Sequence, residues 1–184
     1  MIFAIFVSVL AMVAAHIDYS GRPTIKDVEK FYFPGTKIYL VMRSYNVKKW
    51  GKENTCLYSK VESYNDKTIT MRQAYTPRGL KGLIYPVTLK VSWSGGTDVA
   101  PRLNASTYVD SSYMRVYRFH YHDRNSHCAV ITFTDDSGTI RCELHTWKSY
   151  STAKDYAKCK EEYEYQCAGR KIYYPDLSNC PNLP

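Results

Sequence analysis

Apolar residues along the chain follow two rhythms, and the change between them marks out the fold. Ile25, Val28 and Phe31 recur at helical spacing across 23–31, and Pro34-Gly35 stops the segment, so a short helix is predicted there. Beyond it come stretches rich in β-formers at 37–47, 55–64, 67–75, 83–93, 112–122, 128–134 and 139–147, with room for one more strand within 97–111. Between them stand turn formers: Asn65-Asp66, Pro77-Arg78-Gly79, Gly95-Gly96, Asp123-Arg124-Asn125 and Asp135-Asp136-Ser137-Gly138. Consecutive strands with short connections predict an all-β antiparallel meander, whose closed form is an eight-stranded up-and-down barrel. Residues 150–165 return to helical composition and predict a C-terminal helix. The proline-containing tail after Cys167 reads as an extended strap held by Cys180.

The N-terminus changes the picture by fixing a compartment. Ile2 to Val13 is apolar or small throughout, interrupted only by Ser8, and Val13-Ala14-Ala15 offers the small residues a signal peptidase reads. Residues 1–15 are therefore expected to be a signal peptide and 16–184 a single exported domain, secreted and extracellular. The run falls short of the roughly 20 apolar residues a spanning helix needs, so no membrane association is expected. Six cysteines suit export and predict three disulfides, with fifteen connectivities open. No Cys-x-x-Cys pair exists, and His120, His122 and His127 around one turn read as surface residues, so neither a metal nor a cofactor is expected.

The formal charge is +8, but lysine and arginine are scattered, which argues against nucleic-acid binding. The 18 tyrosines are the compositional outlier, suited to strands and to an apolar pocket with polar tips. Asn104-Ala105-Ser106 is an N-glycosylation sequon, expected to lie in a loop, which marks Asn104 as a modification site.

Several features together resemble the tick salivary lipocalins, and among them the histamine-binding group that captures biogenic amines. A short helix leads into Ile38-Tyr39-Leu40-Val41-Met42-Arg43-Ser44-Tyr45, then Trp50-Gly51 and Thr55-Cys56. Cys128-Ala129-Val130, Cys142-Glu143-Leu144, Cys159 and Cys167 follow in order. The resemblance implies a lipocalin barrel closed by a C-terminal helix, with Cys56–Cys180 and Cys128–Cys159 as staples and Cys142–Cys167 as the remaining pair. It also implies acids for a cationic ligand, because a buried amine needs a carboxylate and an aromatic wall. Glu143-Leu144 is kept. Ala129 stands where the group has Asp, and His145 where it has Trp or Tyr.

Strand parity indicates what lines such a barrel, since alternate residues face inward. If Glu143 faces in, Arg141, His145 and Trp147 do too. The aromatic face of 112–122 carries Tyr113, Arg115, Tyr117, Phe119 and Tyr121. Placing Tyr45 inside places Tyr39, Val41 and Arg43 inside as well. The candidate ligand-binding residues are thus Glu143, His145, Tyr45, Trp50, Arg43, Arg115, Tyr117 and Phe119. Trp50 either touches ligand or seals the barrel end, and Glu143 either contacts ligand or pairs with Arg43 or Arg115.

With one family acid remaining and two arginines expected inside, an anionic lipid such as a leukotriene, thromboxane or fatty acid, or a sterol, is slightly favoured over histamine or serotonin. The expected function is capture of a small host mediator by a monomeric salivary protein, suppressing inflammation or haemostasis. The alternative is binding of a host protein through the outer barrel surface. No nucleophile–base motif or Gly-x-Ser-x-Gly elbow exists and all cysteines are expected in staples, so no enzyme is predicted and no catalytic residue is assigned.

Overall fold

The computed structural model describes residues 22–93, 100–107, 114–147, 154–177 and 180. The expected leader 1–15, its expected cleavage point and Tyr113 lie outside the described residues. Helix α1 (Ile25–Phe31) precedes β1 (Lys37–Arg43), the two-residue β2 (Lys48–Lys49), β3 (Lys52–Asn65), β4 (Thr68–Pro77), β5 (Leu83–Trp93) and β6 (Pro101–Thr107). After these come β7 (Met114–Asp123), β8 (Cys128–Thr134), β9 (Ile140–Thr146) and helix α2 (Ala157–Gln166).

Every strand from β3 to β9 pairs antiparallel with its successor, and β1 pairs with both β9 and β3. Eight strands thereby close an up-and-down barrel, as the meander predicts. The β3–β4 hairpin turns on Asp66 and Lys67, both at positive φ, which matches the hand of the flanking strands. Strand β2, which the pattern did not predict, folds back on the start of β3. Asn104 lies inside β6 rather than in a loop. Its neighbours Leu103 and Ala105 are buried inward, so its side chain faces out.

One barrel end is plugged by α1. Thr24 caps the helix: its hydroxyl accepts from the Asp27 amide at 3.3 Å, and the Asp27 carboxylate accepts from the Thr24 amide at 2.8 Å. The same carboxylate takes two hydrogen bonds from Arg124, at 2.6 and 3.1 Å. Val28, Phe31 and Tyr32 bury themselves against Phe119 and the inner wall. Trp147 donates to the Phe31 carbonyl at 3.0 Å and stacks on His127. His122, expected at the surface, is buried here beside Phe31 and Phe119, and burial pushes its pKa down.

A second apolar layer lies outside the barrel. Cys128 and Val130 of β8, Cys142 and Leu144 of β9, and Met42 of β1 face Tyr156, Cys159 and Tyr163 of the α2 segment. Disulfides Cys128–Cys159 and Cys142–Cys167 fasten this helix at both ends, and Cys56–Cys180 ties the C-terminal strap to β3.

Candidate functional site

Two bulges decide which side chains reach the interior. In β1 the register slips between Leu40 and Met42, so Leu40 opposes His145 and Arg43 opposes Glu143. Val41 is the extra residue, and strict alternation fails there. Tyr45 and Arg43 accordingly share the inner wall with Leu40 and Ile38. Tyr39 lies on the outer face, stacked on Tyr58 at 5.2 Å, and Val41 joins the layer under α2, so neither faces in as parity from Tyr45 predicts.

The second slip, between Phe119 and Tyr121, sends Tyr121 outward under α2 and turns His122 in. Arg115, Tyr117 and Phe119 keep the inner face. Phe119 is fully buried in the packed end under α1.

Between the plugged end and the rim lies a cavity of about 50 Å³. Tyr32, Gln73, Tyr85 and Tyr117 line it with apolar wall residues from β1, β4, β5 and β8, and Glu143 and His145 supply its ionisable groups. Gln73, Tyr85, Ser59 and Thr107 were not singled out from sequence. They sit on the same inward alternation, and only the known register of β3 to β6 reveals them.

Glu143 is 5 % exposed and bonded on both oxygens, by the Tyr45 hydroxyl and by His145 Nε2 at 2.8 Å. Its partners are thus Tyr45 and His145, with neither Arg43 nor Arg115 bonded to it. Burial pushes its pKa up, but the bond from His145, the charge of that imidazole, the Tyr45 bond and the Arg115 charge outweigh it. The carboxyl is held below the ordinary glutamate range. Burial, with Glu143 alongside, pushes the Tyr45 hydroxyl well up, and Tyr32 shifts the same way for the same reasons. Tyr45 is therefore a neutral donor to a charged acceptor.

An aromatic layer lies above this pair. The Tyr45 and Phe133 rings meet edge to face at 5.3 Å, as do Tyr117 and Phe133. The Arg115 guanidinium packs 4.0 Å above the Phe133 ring, and Arg43 lies 5.8 Å from the Tyr45 ring. Trp50 stands apart. It occupies the β2–β3 turn at positive φ, 64 % exposed, and lines no part of the cavity.

A larger open groove of about 730 Å³ runs along the outer wall of β6–β9, past Arg102, Arg118 and Ile140 to Arg115 at the rim. It is more voluminous than the inner cavity and is lined mainly by side chains of the outer face. The inner cavity concentrates a buried charge, aromatic walls and convergent polar tips, the usual makings of a ligand site.

A family model described as tick histamine binding protein matches residues 24–182. No curated protein matches the sequence. Among solved structures, lobster apocrustacyanin A1 superposes with a TM-score of 0.59 at 10 % identity, covering 86 % of this chain and 89 % of that one. A dog lipocalin allergen gives 0.50 at 16 %, covering 81 % and 98 %. A complex of LTBP1 with LTC4 gives 0.52 at 10 %, covering 89 % and 92 %. Identities this low speak for the barrel alone.

Proposed function

The chain belongs to the tick histamine-binding protein family, and on that premise we propose that it captures a small cationic mediator, a biogenic amine, beside Glu143. The observation that carries this reading is the ionised, buried Glu143 carboxylate on the wall of the inner cavity, ringed by tyrosines. A cation leaving water needs such a partner, and the aromatic wall adds a second attraction.

The same geometry shifts the balance away from a lipid. Neither Arg43 nor Arg115 lines the cavity, and about 50 Å³ is narrow. A cavity that holds one benzene ring measures on the order of 150 Å³. Even a single-ring amine must swing Tyr85 or Tyr117 aside, and an acyl chain would need far more. Secretion through the 1–15 leader, a monomeric state, glycosylation at Asn104 and suppression of host inflammation belong to the same proposal. Three disulfides fit an extracellular setting.

Calorimetric titration of the mature, disulfide-intact protein with histamine, serotonin and arachidonate tests it. Wild type is expected to take an amine and not arachidonate. Glu143→Gln is expected to weaken amine binding by about 30-fold or more, as loss of a buried charge partner does. Arachidonate binding, or an amine affinity unmoved by Glu143→Gln, would overturn the reading. Silence towards all three would move the search to the outer surface and a host protein.

A further inference from the structure

Glu143 has an opposite number that the amine reading leaves unused. Arg43 is its direct neighbour across the β1–β9 ladder, on the same inner face, and the two are 3 % and 5 % exposed. Opposite charges so placed ordinarily pair. Here they do not. Arg43 Nη2 donates to the Asn54 carbonyl at 3.1 Å, while its buried Nε and Nη1 have no hydrogen-bond partner. Glu143 bonds to Tyr45 and His145 instead. Tyr45 separates the two charges, its hydroxyl on the carboxylate and its ring 5.8 Å from the guanidinium carbon.

Among the described residues no side chain accepts from the Arg43 Nε or Nη1. Its other charged neighbour, Glu53, is exposed and bonded to Asn46, and Tyr173 meets Arg43 through the backbone. Arg115 packs over Phe133. A buried guanidinium whose Nε and Nη1 hydrogens lack acceptors is costly to keep unless something accepts from them, and an anionic oxygen would answer both the open hydrogens and the charge.

We infer that the site is built for an amphoteric ligand, an amino acid or similar small molecule whose ammonium meets Glu143 and whose carboxylate, displacing the Tyr45 ring, reaches Arg43 just beyond the cavity wall. The inference rests on the amine reading for the Glu143 half and adds the anionic half. It separates three compounds that share one ring: L-histidine carries both charges, histamine only the amine, and imidazole-4-propionate only the acid.

Calorimetric titration of the intact wild-type protein with these three, at neutral pH and matched ionic strength, is the test. Histidine is expected to bind at least ten-fold more tightly than either relative. Arg43→Gln is expected to shrink the histidine-to-histamine ratio about ten-fold, and Arg43→Lys, which keeps the charge with fewer donors, to shrink it less. Histamine binding as tightly as histidine in wild type would overturn the inference while leaving the amine reading standing. That comparison needs no variant to fold. Neither compound binding, or Glu143→Gln leaving both unchanged, would remove the amine reading and the inference together.

Discussion

Asp27 shows how much one side chain can carry. Burial alone would raise its pKa, yet the Thr24 amide, Arg124 and the Thr24 hydroxyl bring it down to about 2. A carboxylate depressed in this way stabilises the fold fully above its unfolded pKa of about 3.9, and the contribution fades as pH falls towards 2. Asp27→Asn is therefore expected to cost about 2 kcal/mol at pH 7, and its deficit against wild type should shrink on acidification below pH 4. Urea unfolding of both proteins at pH 7 and pH 3 reads this directly. An equal deficit at the two pH values would mean that geometry and not charge holds the cap. At this scale the sequence was partly legible. Glu143, His145, Arg115 and Tyr117 follow from alternation along one strand each, whereas Tyr39 and Tyr121 were misplaced by bulges that leave no mark in composition. The Glu143–His145–Tyr45 cluster joins residues 98 apart, and only the β1–β9 seam brings them together.

Among the elements, α2 depends most on covalent help. Of its ten residues only Cys159, Glu162 and Tyr163 are buried, and no side chain caps its start. The Cys128–Cys159 loop spans 31 residues, and opening it is expected to cost about 4 kcal/mol through the freed unfolded chain. The first turn of the helix should then lift from the wall, and Cys128→Ala with Cys159→Ala should show faster amide exchange in α2 and in β8 beneath it. Unchanged exchange would mean that Tyr163 and the Cys142–Cys167 staple suffice. Helix α1 was legible because its spacing and its Pro-Gly stop are local. The β2 turn was not, since Trp50 adopts a positive φ that its residue type does not announce.

For the whole molecule, the closed barrel follows from strand count and short turns, while the way its seam is made does not. β1 meets β3 only over Lys37–Tyr39, and beyond that the strap inserts through the Arg43–Tyr173 bridge, tied down by Cys56–Cys180. That disulfide spans 124 residues, so its removal should destabilise the protein more than loss of either other staple, by about 5 kcal/mol. Thermal unfolding of the three paired-alanine variants ranks them. A ranking led by Cys142–Cys167 would place the weight on α2 instead.

The bulge at Val41 makes β1 two strands in one, with the phase of the upper half set apart from that of the lower. Excising Val41 would straighten the strand yet leave Arg43 and Tyr45 facing in. Regular pairing at full length would turn both to the outside and present Met42 to the interior. One residue of slack at the seam thus decides whether Arg43 and Tyr45 or Met42 meets the interior.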